Sequence, residues 1–172
     1  MIHPKYIRTN RLVALFILVL SFLVYYNTMA PSVSYWDCGE FIAVSYTLGV
    51  PHPPGSPLFL LLGRIASLLP FSEDIAFRVN LLSPLSSAFA VFFLYLIIVQ
   101  VVSHWSGKIN TNRDALIAFG AGIVGSLTFA FTDSHWFNAV EAEVYAFSTF
   151  FTAIVVWLIL KWSEKADEEL SL

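Results

Sequence analysis

Charge is scarce in this chain of 172 residues. Only 12% are Asp, Glu, Lys or Arg, about half the roughly 25% of an ordinary soluble domain. That scarcity excludes a water-bathed surface over most of the chain. Cysteine is nearly missing too. Cys38 stands alone, so no internal disulfide forms and the redox compartment cannot be read from it. There is no basic stripe, and the formal net charge is -3, which argues against nucleic acid as a partner. The chain contains no internal repeat, no low-complexity linker and no soluble domain of its own.

What fills the chain is apolar. Hydrophobic residues make up 58% and the mean hydropathy is +0.74, so the medium is lipid. Sixteen Phe, seven Tyr and five Trp suit interfacial and lipid-facing positions. The pattern predicts an all-α membrane protein with about four transmembrane helices, at residues 12–29, 76–103, 115–132 and 139–162. The first run, preceded by Lys5, Arg8 and Arg11, also has the outline of a signal peptide. Thr28-Met29-Ala30 followed by Pro31 is a poor cleavage site, however, which favours an anchor. Pro84 is expected to bend the second span. In the third, Ala118, Gly122, Ser126 and Ala130 form a small-residue ridge that lets another helix approach closely.

Residues 30–75 form the first outer loop. The apolar stretch 57–70 is interrupted at Gly63-Arg64 and falls short of the ~20 apolar residues needed to cross a bilayer. It and residues 40–48 are expected to be two short interfacial helices. With four spans, Lys5, Arg8, Arg11, Lys108, Arg113, Lys161 and Lys165 fall on one side, leaving only Arg64 and Arg78 on the other. The positive-inside rule then makes the N-terminus cytoplasmic and the acid-bearing face periplasmic or luminal. The tail at 167–172 reads as solvated and frayed.

The candidate chemistry lies on that outer side. Tyr35-Trp36-Asp37-Cys38-Gly39-Glu40 and Pro51-His52-Pro53-Pro54-Gly55 follow the first apolar run, and a carboxylate at a membrane face costs free energy unless solvated or paired. Asp37 and Glu40 share a helix face if a helix starts there; equally, they form an N-cap and capping pair. His52 sits in a stiff turn, with Gly55 permitting a sharp bend. Arg78, at the outer end of a span, either snorkels to head groups or clamps a phosphate. Asp133, His135, Asn138, Glu141 and Glu143 gather at the next outer turn. On a continuous helix Glu141 and Glu143 would lie about 200° apart, so only one would face an interior. A metal site at Asp133 and His135 lacks supporting ligand spacing.

An Asp in the first outer loop, then a His-Pro-Pro turn, then an Arg opening the next span resembles the GT-C membrane glycosyltransferases, in particular the protein O-mannosyltransferases. The closer likeness is to a bacterial family related to the animal transmembrane O-mannosyltransferase. It is carried by Trp36-Asp37-Cys38-Gly39-Glu40-Phe41, Pro51-His52-Pro53-Pro54-Gly55 and Glu141-Ala142-Glu143-Val144-Tyr145-Ala146. The resemblance implies a polyprenyl-phosphate sugar donor, mannosyl transfer with inversion at the outer face, and a protein Ser or Thr as acceptor. By it Asp37 is the catalytic base and Glu143 a second acid; Glu40 is a further candidate acid, separated from Asp37 by Cys38 and Gly39 where such enzymes place two acids side by side. By it, too, Arg78 would hold the donor phosphate; Arg64 is a second candidate cation because the leaving phosphate keeps its charge, and His52 and Glu141 are further candidate substrate-binding residues. No cofactor is fixed by the pattern, although a divalent metal would suit it. Such enzymes have many more spans, so the resemblance implies an N-terminal module whose activity needs the remaining spans.

Two other classes fit the composition. One is a noncatalytic membrane subunit or lipid-binding fragment of the same fold; the other is a small transporter. Transporters place their charge near the bilayer midplane, whereas the acids here gather at one face. The enzyme reading further expects Asp37 and Arg78 to share one cleft.

Overall fold

The computed structural model describes residues 2–170, with side chains through residue 166. Among these residues eight helices follow in order: α1 (Pro4–Thr28), α2 (Cys38–Thr47), α3 (Pro57–Leu68), α4 (Ile75–Asn80), α5 (Leu82–Ser106), α6 (Asn112–Ala130), α7 (Asp133–Ala139) and α8 (Val144–Leu170). Among the described residues, four segments are long and apolar enough to cross a membrane: α1, α4 with α5, α6, and α8. The apolar α3 is too short, as its interrupted sequence implies. Helix continues through Leu170 in the acidic tail, and the last two residues lie outside the described ones.

The long helices form a bundle around α5, which packs against α1, α6 and α8. Its core joins Ile17 and Tyr25 of α1 with Val91, Tyr95 and Val99 of α5 and Ala118 and Phe119 of α6. The small-residue ridge is the α6 face turned to α5. A methyl group at Gly122 would stand 2.8 Å from two Tyr95 ring carbons and 2.9 Å from Val99 Cγ2, so the helices approach only because Gly is there. Two buried tyrosines tie the bundle crosswise. The Tyr95 hydroxyl donates to Asn10 Oδ1 at 2.9 Å, and that of Tyr25 donates to Ala130 O at 2.8 Å.

Helices α2, α3 and α4 form a cap at one end of the bundle. Cys38, Phe41, Ile42, Phe59, Leu60, Ala76, Val79 and Ala142 make its separate core. Here α3 lies close on α2 because Gly63 has no side chain; a methyl there would meet Ser45 Cβ at 2.8 Å. The opposite end carries most of the basic residues. It is closed where Ile2 bridges Ile109, His3 N–H donates to Ile109 O at 3.1 Å, and the Tyr6 hydroxyl donates to Asn112 Oδ1 at 2.7 Å.

Two breaks shape the cap end. The second span divides at Leu81 between α4 and α5. Pro84 cannot donate to the carbonyl of Asn80 and its ring crowds that group, so the bend falls just before it. The fourth span, expected from 139, starts later: α7 ends at Ala139, residues 140–143 form a bend, and α8 begins at Val144. Ala30 N–H, beyond the end of α1, donates to Val140 O at 2.8 Å and pins this bend to the first loop.

Candidate active site

A tight turn delivers the first acid. Trp36 adopts a left-handed φ of 60°, a strained backbone state for a bulky residue, and α2 starts immediately after. Asp37 takes the N-cap position of α2, yet its side chain makes no capping bond. Glu40 does not complete a capping box either. Its carboxylate reaches across to the next loop, accepting from His52 N–H at 2.9 Å and pairing with His52 Nδ1 at 2.6 Å. The capping pair expected at Asp37 and Glu40 is therefore absent. A full capping box occurs instead at Thr111 and Asp114, heading α6.

His52 stands between two acids. Its Nδ1 faces Glu40 and its Nε2 lies 3.9 Å from Asp37 Oδ2. The turn that holds it is closed by Gly55, which takes φ +78° and donates its N–H to His52 O at 3.0 Å. The Phe41 ring packs beside the imidazole at 5.7 Å. The hydrogen bond with Glu40 raises the His52 pKa above the ordinary imidazole value and lowers that of Glu40, so the pair favours its charged form. Asp37 is left with a largely exposed carboxylate, 3.9 Å from this imidazole. Asp37, Glu40 and His52 each present a ligand atom, all within 4.8 Å of one another. Two carboxylates and an imidazole are a donor set that suits a divalent cation.

The second acid pair enters from the bend before α8. Because 140–143 is not helical, Glu141 and Glu143 are not forced onto opposite faces, and both are buried. Glu143 is anchored through its backbone: its N–H donates to Ser83 Oγ at 3.3 Å, and the Ser83 hydroxyl donates back to its carbonyl. Burial, then the nearby charges of Glu141 and Asp37, push the Glu143 pKa up, while His52 draws it down. Glu143 thus feels both Asp37 and His52 across the gap between α2 and α8. Glu141 Oε1 is buried without a hydrogen-bond partner.

Asn80 holds these parts together. It is fully buried. Its amide nitrogen donates to Ala30 O and Ser32 O, both at 2.9 Å. Its oxygen accepts from Ala142 N–H at 3.1 Å and from the Cys38 thiol at 3.7 Å. One side chain therefore fixes the residue after Asp37 and the residue before Glu143. Burial raises the Cys38 pKa, consistent with a packed thiol that donates a hydrogen bond. Spacing alone gave Asn80 no role. The available signal was an amide in an apolar helix, which is costly unless satisfied.

The arginines are committed elsewhere. Arg78 Nη1 donates to Ser67 O at 2.6 Å and Leu69 O at 2.9 Å, closing the end of α3, while its buried Nε has no partner. Arg64 donates to Tyr46 O and lies over the Tyr46 ring, fastening α3 to α2. Among the described residues, no ion pair joins either arginine to Asp37, Glu40 or Glu143. Arg78 is linked to the acids indirectly, two residues before Asn80 on α4.

The remaining outer-turn residues separate. His135 is buried, its ring 4.3 Å from that of Phe129 and 6.0 Å from that of Tyr25, and burial lowers its pKa to about 4. It is a neutral core histidine. Asp133 is exposed at the start of α7, and Asn138 donates to Ser134 O at 2.7 Å within that helix. No metal-ligating group forms around Asp133 and His135 among the described residues.

Comparisons with known proteins identify the family of the chain. The family model described as the protein O-mannosyl-transferase TMEM260 N-terminal domain matches residues 37–171, beginning at Asp37 itself. The chain is 29% identical over 158 residues to the protein O-mannosyl-transferase tmem260 of Dictyostelium discoideum, covering 90% of this chain. It is 31% identical over 142 residues to the protein O-mannosyl-transferase TMEM260 of Mus musculus, covering 82%. In both cases the match spans 18% of the relative's length. No solved structure matches the chain. The chain belongs to the family of the TMEM260 protein O-mannosyl-transferase N-terminal domain.

Proposed function

We propose that this chain supplies the acid-bearing part of a membrane mannosyltransferase active site, which moves mannose from a polyprenyl phosphate to a Ser or Thr hydroxyl of a protein. The observation that carries the reading is the division of labour around His52. Glu40 is bound to the imidazole at 2.6 Å, which leaves the Asp37 carboxylate exposed and uncapped. In this reading the acceptor oxygen attacks the anomeric carbon from the face opposite the phosphate. The carbon–oxygen bond to phosphate breaks, the configuration inverts, and the hydroxyl proton passes to Asp37. A positioned base of this kind contributes ~10²–10⁴-fold.

Glu40 and His52 act as positioning residues, holding the 51–55 turn against α2. Glu143 accepts a hydrogen bond from a sugar or acceptor hydroxyl, and Glu141 lies deeper behind it. The leaving phosphate keeps its charge and needs a cation more than an acid. Arg78 fills that role through the donors its α3 contacts leave unused, with Arg64 beside α2 as the second cation. The site faces the periplasm or lumen and the basic end faces the cytoplasm, supported by seven of nine Lys and Arg residues falling at that end. The spans that complete the polyprenyl channel come from the remainder of the enzyme, in keeping with the 18% coverage of the relatives.

The test is transfer of labelled mannose from polyprenyl-phosphate mannose to a Ser/Thr peptide, using this chain alone and joined to the rest of the enzyme. Transfer is expected only from the joined form. Transfer from a soluble nucleotide-linked mannose, and none from the lipid-linked donor, would overturn the proposal.

A further inference from the structure

A cleft of about 700 Å³ opens between α1, α5 and α8 at the basic end, away from Asp37, Glu40 and Glu143. Its size falls within the range of small-molecule sites. The lining is graded along α5. Phe92, Phe93 and Leu96, with Trp157 of α8, make an apolar stretch; Gln100 and Ser103, with Asn10, Arg11, Lys161 and the Glu164 carboxylate, make a polar mouth. From Phe92 to Ser103 the helix rises roughly 16 Å at ~1.5 Å per residue. That length matches a glycerol backbone and the upper part of an acyl chain.

Two features at the mouth ask for a ligand. Gln100 is nine-tenths buried, and its Oε1 has no hydrogen-bond partner. A buried amide oxygen without a donor carries a desolvation cost. Arg11 is exposed and makes no hydrogen bond or ion pair among the described residues. Lys161 bonds Glu164 at 2.7 Å, and an ammonium keeps two further donors.

We propose that this cleft binds one anionic phospholipid, with its phosphate between Arg11 and Lys161, a headgroup hydroxyl on Gln100 Oε1, and an acyl chain along Phe92, Phe93, Leu96 and Trp157. A glycerol headgroup fits best, because it pairs a negative phosphate with hydroxyl donors. The site is independent of the acid cluster and stands or falls apart from mannosyl transfer.

Native mass spectrometry of the 172-residue chain in nonionic detergent tests it, with phosphatidylglycerol and phosphatidylcholine of identical chains at equal concentration. One retained phosphatidylglycerol per chain is expected, and little phosphatidylcholine. The double substitution Arg11→Ala, Lys161→Ala should lower phosphatidylglycerol retention about tenfold. Gln100→Leu should lower it while leaving retention of phosphatidic acid, which has no headgroup hydroxyl beyond the phosphate, unchanged. Lys108→Ala, at the same end but outside the cleft lining, should have no effect. Equal retention of the two lipids, an equal loss from Lys108→Ala, or displacement by soluble glycerol phosphate at the same concentration would overturn the proposal. So would a cleft closed to lipid by later spans, seen as loss of the adduct in the full-length enzyme.

Discussion

Replacing Asn80 tests how the site is held. Asn80→Ala removes the donor to Ala30 O and Ser32 O and the acceptor for Ala142 N–H. These losses are unequal. Ala142 is fully buried, so its orphaned N–H bears the full penalty of about 1–3 kcal/mol. Ser32 is exposed and Ala30 half-buried, so water recovers part of their loss, leaving roughly 0.5–1.5 kcal/mol between them. The expected destabilisation is about 1.5–4.5 kcal/mol, a large share of the ~5–15 kcal/mol that holds an ordinary domain together. Unfolding in detergent, followed by tryptophan fluorescence, gives the total. Hydrogen exchange gives the location: the Ala142 amide and residues 30–38 should lose protection, while α6 should not. Asn80→Asp separates the two halves of the bond set. It keeps an acceptor for Ala142 but places oxygen against the Ala30 and Ser32 carbonyls, so only residues 30–38 should loosen. Unchanged Ala142 protection in Asn80→Ala, with a stability change below about 0.5 kcal/mol, would refute the hub.

Other consequences follow from single contacts. Gly122→Ala should destabilise the chain by about 1–3 kcal/mol, because its methyl would meet Tyr95 and Val99 at 2.8–2.9 Å; a thermal melt unchanged from the parent would contradict the helix contact. His135 has a folded pKa of about 4 against an ordinary 6.5, so the folded state binds fewer protons there. Its stabilising contribution is full above pH 6.5 and is lost as pH falls toward 4, up to about 3 kcal/mol; His135→Gln should flatten that acid limb in an unfolding series. For the surface pair, His52 is raised and Glu40 lowered. The tether is complete between the ordinary values of 4.5 and 6.5, and weakens above the raised His52 pKa or below the lowered Glu40 pKa. Exchange of the His52 amide across pH should be slowest inside that window, and Glu40→Gln should abolish the dependence.

The four long helices were legible because each is a long apolar run, and the α3 helix because its run is short and broken at Gly63-Arg64. The ridge on α6 was legible from its four-residue recurrence, and the bend before Pro84 from the missing N–H. The split at 140–143 was not. Ala139, Val140, Glu141 and Ala142 carry no helix breaker, so local preference reads straight through them. Bonds from Ala30, Asn80 and Ser83 break the helix there, and none of those partners is near in sequence. The same reason hid the burial of both Glu141 and Glu143. The acids and His52 were visible as residues out of place in an apolar chain, but their pairing was not. Helical spacing joins Asp37 to Glu40, whereas the fold turns Glu40 to His52, twelve residues on. The place of Arg78 at a span end suggests either snorkelling or a phosphate clamp; the hold of its Nη1 on the α3 carbonyls depends on a loop path that spacing does not encode.

In the proposed reaction Asp37 takes the acceptor proton. The direct measurement is initial-rate transfer of mannose from polyprenyl-phosphate mannose by the full-length enzyme carrying Asp37→Asn, with membrane insertion and donor binding measured on the same preparation. The expected result is a loss of ~10²-fold or more in turnover, with insertion and donor binding retained. Turnover equal to that of the parent enzyme would contradict it.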